Sequence, residues 1–405
     1  MKKIKLSLFV KVLIAIALGS ALGLLFGLAF RGDGFLYGLS MFFVRLFKTF
    51  NVLFAQLLKF IVPLLVLGLV TPAIYGLGKG AGKMLLIVVG VAYLSTVCAG
   101  LFAYGSASAF FPHILQEGDL SKGTAEALKF EPYIDLQIKP LCDILTALCL
   151  SFMVGVCCIY IKGDTLRRWF DEFGEVVKMT IEKAIIPLMP FYIFTMMCEM
   201  SAAGKMAVVV GSGVKVIATG VVLSILYLVI QYAVAGAIAG KNPFKCLWNM
   251  LPAYLTGFSI CSSSAVIPVT TECTRKNGVS EEVVNFVVPL CSNVHMCGSV
   301  IKLATTAVAV ALMMGRPIPF ALFFNFMLIL AVATVASPGV MSGVLMASVG
   351  FLESILGFTP EMTALLMTIY LALDGYGPAC NVTGDGAIAL GVDRFFRKSV
   401  PQERG

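Results

Sequence analysis

Asp374-Gly375-Tyr376-Gly377-Pro378-Ala379-Cys380-Asn381-Val382-Thr383-Gly384-Asp385 is a polar run set inside sequence fit for lipid, with Leu365-Leu366-Met367 before it and Ala387-Ile388-Ala389-Leu390 after it. A carboxylate at mid-membrane depth costs about 2.5–3.5 kcal/mol even on lenient insertion scales. Two carboxylates in one such stretch must therefore face protein or a polar cavity in which something binds. A second polar run, Ser262-Ser263-Ser264 with Pro268 after it, interrupts another apolar segment. These runs mark a transporter or channel rather than a membrane anchor.

Composition agrees. The 405 residues are 59% hydrophobic and only 13% charged, with a mean hydropathy of +0.95, which leaves too little polar surface to cover a water-soluble domain. At about 20 residues per spanning helix the length accommodates roughly eight to ten membrane elements. Apolar segments run over approximately 8–30, 47–76, 83–111, 142–161, 165–200 and 205–239. The first follows a basic start but is too long for a secretory signal and lacks a cleavage pattern, so it reads as a retained helix. Most of the twelve cysteines, such as Cys98, Cys149, Cys157, Cys158 and Cys198, stand in apolar helices without metal-ligand spacing and read as small buried hydrophobes. The net charge of +8 is a loop bias and not a nucleic-acid footprint. With the amino terminus inside, Lys162, Arg167, Arg168, Lys241, Arg275, Lys276 and Arg394 fall on the cytoplasmic side, and Glu117 and Glu131 fall outside. Both termini are then cytoplasmic.

Beyond residue 240 the pattern changes. Segment 243–276 is apolar, broken by the three serines and Pro268, and has basic residues at both ends, which reads as a re-entrant hairpin. A helix over about 280–313 is interrupted at Cys297-Gly298-Ser299. A second interrupted segment, 319–358, breaks at Ser337-Pro338-Gly339 and continues through Ser342-Gly343. A helix over 361–395 carries both aspartates. Hairpin-then-helix thus occurs twice, and paired interrupted segments point to a binding site at the midplane. The alternative is a set of structural helices kinked by Ser and Pro. On a continuous last helix, Tyr370, Asp374, Gly377, Asn381 and Asp385 share one face, and the two aspartates stand about 16 Å apart along its axis. One ligand does not serve both, so two sites are expected.

The serine tip at Ser262-Ser263-Ser264, the run Pro289-Leu290 through Met296, Gly298 and Ser299, the Ser337-Pro338-Gly339 tip and Asn381-Val382-Thr383-Gly384-Asp385 together resemble the dicarboxylate/amino acid:cation symporters, the family of the excitatory amino-acid transporters and their bacterial and archaeal homologues. The resemblance runs over nearly the full length. It implies an all-α polytopic membrane protein of about eight transmembrane helices plus two re-entrant helical hairpins with inverted repeats. It implies a homotrimer in a bacterial inner membrane that works as an elevator. Residues 1–76 and 142–200 are then scaffold; 83–111 and 205–395 are transport elements. Ser263, Ser264, Ser299, the tip at Ser337, and position Gly377 are implied around the substrate, Asp374 on its amino group and Asn381 completing the polar ring. Asp385, with carbonyls near Cys291, His295 and Asn381, is implied for one Na⁺, and carbonyls around Thr334 with Asn293 and Met296 for a second. No other cofactor is implied.

The chain departs from that pattern. Acidic-substrate members carry an Arg where this chain has Gly377, and often an Asp where it has Tyr370. A substrate's acidic side chain needs a fixed cationic fork, so a neutral amino acid is expected, carried into the cell on a cation gradient of Na⁺ or H⁺. A dicarboxylate, an acidic amino acid or cystine are the alternatives within the family. Cys297 stands where members commonly have an Asp for a third Na⁺, and Val97 replaces a hydroxyl residue; neither suits a hard cation, so that site is expected to be absent or altered. His295 and Lys302 are intramembrane ionisable residues and so candidates for a proton or fixed-charge role; the bland readings are a hydrogen-bonded core histidine and a snorkelling lysine. A channel is the different-class alternative, but no ring-filter motif is present. Catalysis is not expected, because Ser263 has no base near it in sequence.

Overall fold

The structure is a computed structural model that describes residues 8–30, 34–76, 83–118, 120, 130–134, 136–142, 144–204, 206–335 and 342–397. The expected hairpin tip Ser337-Pro338-Gly339 lies outside the described residues. Within them every regular element is a helix. Six helical runs are long and apolar enough to cross a membrane: Val10–Ala29, Phe35–Phe54, Met84–Ile114, Thr165–Ala202, Val209–Ala239 and Glu281–Met313.

Helix α1 (Leu8–Ala29) lies along α6 (Ile186–Ala202). Gly19, Gly23 and Gly27 recur at every fourth position and form one stripe of α1. The carbonyl oxygens of Phe194, Cys198 and Ala202 stand where Cβ atoms would be, the last at 3.3 Å. Small residues let two backbones approach in lipid, where no hydrophobic force drives helices together. Ser201 Oγ donates to Ser20 O at 2.8 Å across the same seam.

Helix α2 (Phe35–Gly76) starts twelve residues before the expected segment and runs for 42. Arg45 stands in the added stretch. Lys48, just inside the expected segment, is taken inward, with Nζ 2.7 Å from Glu199 Oε1. Asn51 Nδ2 donates to Glu199 Oε2 at 3.1 Å, and Thr195 Oγ1 donates to Asn51 Oδ1 at 2.6 Å. Helix α2 also packs on α4 (Ile144–Tyr160) and α5 (Thr165–Thr180), which passes into α6 through a π-turn at Ile181–Ile185. The cysteine reading holds for Cys158 and Cys198, which are buried; Cys98, Cys149 and Cys157 lie on outward helix faces.

The remaining helices pack mainly with one another: α3 (Lys83–Ile114), α7 (Met206–Ala239) and all that follow. Segment 243–276 folds as α8 (Pro243–Asn249), α9 (Leu251–Ile260), a tip at Cys261–Ser263, one 3₁₀ turn and α10 (Ile267–Lys276). Its two ends meet. Lys241 Nζ donates to Gly278 O at 2.9 Å, and Asn249 Nδ2 to Asn277 Oδ1 at 2.9 Å. Helix α9 stops because Cys261 adopts the left-handed region, φ 58°, and Pro268 sits in the first turn of α10, where its missing N–H costs nothing.

The expected 280–313 helix is α11 (Glu281–Val294) and α12 (Cys297–Met313). The break falls at His295–Met296, two residues before the expected place, and Cys297-Gly298-Ser299 form the first turn of α12. Helices α13 (Phe320–Val335) and α14 (Gly343–Ser354) form the arms of the second interrupted segment. The last helix is also broken, into α15 (Pro360–Ala372) and α16 (Tyr376–Arg397). A continuous 361–395 helix is therefore corrected, and with it the shared face and the axial distance between Asp374 and Asp385. The cause is local: Pro378 has no N–H to bond the carbonyl four residues earlier, that of Asp374, and glycines at 375 and 377 disfavour helix.

Gly23→Leu is expected to destabilise the protein by about 1–3 kcal/mol, because its Cβ would overlap the Cys198 carbonyl. Thermal melting in detergent should fall, while Gly38→Ala, where nothing lies within 4 Å, should leave it unchanged.

Candidate functional site

Four chain breaks meet at one cavity, lined by Ser263, Met296, Ser299, Ser342, Gly343, Val344, Tyr370, Asp374, Pro378 and Asn381. Ser263 comes from the first hairpin tip, Met296 and Ser299 from the α11–α12 break, and Ser342 to Val344 from the start of α14. Tyr370 to Asn381 come from the α15–α16 joint. Of the substrate-site residues expected from sequence, Ser263, Ser299, Asp374 and Asn381 thus come together. Ser264 sits at the edge, its Oγ donating to Asn293 Oδ1 at 3.2 Å. Gly377 is not on the cavity wall. A Cβ there would stand 3.1 Å from Ser299 Oγ and 3.3 Å from Ser299 Cα, so the glycine allows α12 and α16 to touch and leaves no space where an Arg is missing.

Asn381 is spent on the fold. Its Oδ1 accepts from Gly298 N at 2.8 Å and Ser299 N at 3.1 Å, two of the N–H groups that a helix start leaves unpaired. Its Nδ2 donates to Ser299 Oγ at 2.9 Å and to Met296 Sδ at 3.4 Å. It is an N-cap supplied from another helix.

Asp374 is also engaged. Lys302 Nζ lies 2.6 Å from Asp374 Oδ1, and Ser342 Oγ donates to Oδ2 at 3.2 Å. The same ammonium is 3.4 Å from Asp374 O, the carbonyl that Pro378 leaves without a helical donor. It stands 3.7 Å from the Tyr370 ring centroid and 5.3 Å from that of Tyr376, within cation–π range. Lys302 is 1% exposed and Asp374 4%. Snorkelling is therefore corrected: the lysine points into the protein. Removing one partner of a buried pair costs about 3–5 kcal/mol, since the other charge is left uncompensated.

Asp385 has a separate set of partners. His295 Nδ1 lies 2.9 Å from its Oδ1, and Ser292 Oγ lies 3.5 Å from its Oδ2. His295 Nε2 is 3.0 Å from Ser95 Oγ, which accepts from Gln231 Nε2 at 2.8 Å. Both ring nitrogens have partners, and Gly384 has no Cβ where His295 Cε1 would stand 2.8 Å away. The two carboxylates thus have disjoint side-chain partners.

The other positions implied for cations are scattered in kind. Cys291 is in the last turn of α11, where its carbonyl accepts from His295 N at 2.8 Å. Thr334 is in the last turn of α13, where carbonyls lack helical donors; its hydroxyl returns to Ala331 O. Asn293 Nδ2 bonds Pro289 O. Beside Val97, Tyr93 donates to Leu328 O and Thr96 to Ala92 O, and Cys297 is buried among Gln231 and Cys380. Sequence reasoning had not singled out Ser95, Gln231 or Tyr376. The only signal for the first two was a polar residue inside an apolar helix.

A profile of the sodium:dicarboxylate symporter family matches residues 8–395. The chain belongs to this family. Its relatives include excitatory amino acid transporter 3 of Mus musculus, 26% identical over 64% of this chain and 49% of that protein. They include neutral amino acid transporter A of Bos taurus, 25% identical over 57% of this chain and 44% of that protein. An uncharacterized symporter of Haemophilus influenzae is 25% identical over 66% of this chain and 62% of its own length. The matches span about half the length of the two animal transporters. Family members are transporters of the membrane, and the helices described here suit that setting.

Asn381→Ala should cost about 0.5–2 kcal/mol, the range for a lost N-cap, and should also reduce solute binding because the α12 start moves. Melting temperature and binding measured on the same purified sample check both effects.

Proposed function

We propose that the protein is a secondary active symporter that carries a small solute with one carboxylate and an uncharged side chain, driven by a cation gradient. The observation that carries this reading is the polar cavity at the meeting of four chain breaks, combined with membership of a symporter family. Hydroxyls of Ser263 and Ser299 supply donors for a carboxylate, the Ser342 proton being given to Asp374. Among the described residues no Lys or Arg lines the cavity, and Lys302 is committed to Asp374, so a second carboxylate on the solute finds no fixed cation there to replace its hydration. The relatives' names span acidic and neutral amino acids; the cavity favours the uncharged side chain. A neutral amino acid is included in this reading.

One coupling cation is assigned to Asp385, which lies off the cavity wall, with carbonyls near Cys291, His295 and Asn381 as hard oxygen donors, and a second to carbonyls around Thr334 with Asn293 and Met296. Tyr93 and Thr96 turn their hydroxyls to backbone elsewhere, and Cys297 and Val97 offer no oxygen from their side chains, which supports fewer than three Na⁺ per cycle. The helices of residues 1–76 and 142–200 serve as a fixed trimeric scaffold in the bacterial inner membrane, with both termini cytoplasmic. The group built on α3 and α7–α16 moves against it as an elevator. Lys48, 3.7 Å from Glu361 as well as bonded to Glu199, links the two groups in this state.

Purified protein in liposomes, with Na⁺ and pH gradients imposed separately, tests the reading. Labelled neutral solutes should accumulate and glutamate or aspartate should not compete; charge movement per solute should correspond to fewer than three Na⁺. Asp385→Asn should weaken the cation dependence at least about tenfold, a loss of some 1.4 kcal/mol. Accumulation of aspartate, or indifference to every cation gradient, would overturn it.

A further inference from the structure

We propose that Lys302 is a built-in ammonium that determines which solute the cavity accepts: a small monocarboxylate without an α-ammonium, such as a 2-hydroxy or 2-oxo acid, in place of an amino acid. This rests on the reading of the cavity as the solute site.

The geometry around Asp374 carries the argument. Among the described residues it is the one carboxylate on the cavity wall, and both its oxygens are occupied, Oδ1 by Lys302 at 2.6 Å and Oδ2 by Ser342 at 3.2 Å. Lys302 is held at three further points, the freed Asp374 carbonyl and the rings of Tyr370 and Tyr376. Its whole side chain is buried, so it has no aqueous position to withdraw to. An amino acid that used Asp374 for its ammonium would leave this second ammonium buried and unpaired, the situation a low-dielectric site tolerates least. The neutral oxygens left on the wall belong to serines, Tyr370 and Asn381, and the amide of Asn381 is already bonded at both ends.

A monocarboxylate meets no such conflict. The Lys302–Asp374 pair is neutral as a unit, so Asp374 does not repel an incoming carboxylate. The Ser263 and Ser299 hydroxyls can donate to it, and an α-oxygen needs no anionic partner. A second carboxylate would need a second cation. Between residues 303 and 393 the sequence offers only Arg316, which lies beyond the carboxyl end of α12 and away from the cavity wall.

L-Lactate and L-alanine differ at the α-substituent alone, hydroxyl against ammonium, and make the test. Ligand-induced thermal shift and binding are measured on purified protein in detergent, and accumulation of each in liposomes. Wild type should bind lactate at least about tenfold tighter than alanine. Lys302→Met frees Asp374 and should reverse that order. Where the single variant fails to fold, Lys302→Met/Asp374→Asn, which removes both charges, should keep the preference for lactate and gain none for alanine. A wild type stabilised by alanine and not lactate, or by neither, overturns the proposal, as does a double variant that binds the two equally. Preserved lactate preference without cation-driven accumulation would instead sink the symport reading and leave the assignment of Lys302 standing.

Discussion

A helix that stops inside a membrane leaves backbone N–H and C=O groups with no water to take them, and each unpaired group costs several kcal/mol. The interior of this protein is organised around that constraint. The start of α12 is capped by Asn381 from α16, and the carbonyl that Pro378 orphans at Asp374 lies beside the ammonium of Lys302 from α12. Each break is satisfied by a side chain from the other broken helix. The two helices therefore lock each other, and the polar cavity lies in the seam that this exchange creates.

Charge follows the same logic. Four ionisable groups are buried at the centre, and they resolve into two pairs, Lys302–Asp374 and His295–Asp385, with no shared partner. Pairing makes burial tolerable but leaves neither carboxylate bare. Within a family whose name records sodium and dicarboxylates, these pairs put a lysine ammonium and an imidazole against the two carboxylates to which the sequence resemblance assigns an amine and a metal ion. Close glycine contacts tie this to packing: Gly298 and Gly377 let α12 and α16 approach, and Gly384 makes room for the imidazole.

The scaffold-like helices solve a plainer problem. In α1 a stripe of glycines replaces hydrophobic attraction by close backbone contact with α6, and Glu199 gathers Lys48 and Asn51 into one bonded cluster with Thr195. That cluster explains why α2 extends through a charged segment.

The sequence by itself determined the all-helical membrane class and the first hairpin, because cost of burial in lipid is a local property that composition and Gly/Pro/Ser position record; the resemblance to a family added Ser263, Ser299, Asp374 and Asn381 of the cavity wall. It also flagged both aspartates, His295 and Lys302, since an ionisable residue among apolar ones is visible without a fold. Tertiary structure decided how these groups pair. Lys302 and Asp374 are 72 residues apart and His295 and Asp385 are 90 apart, and no spacing rule connects positions on different helices. The break at 373–375 had a readable cause in Pro378, yet whether a proline kinks a helix or ends it depends on what receives the freed carbonyl. Here the neighbour is a lysine on α12, and only the packing of α12 against the joint brings it there.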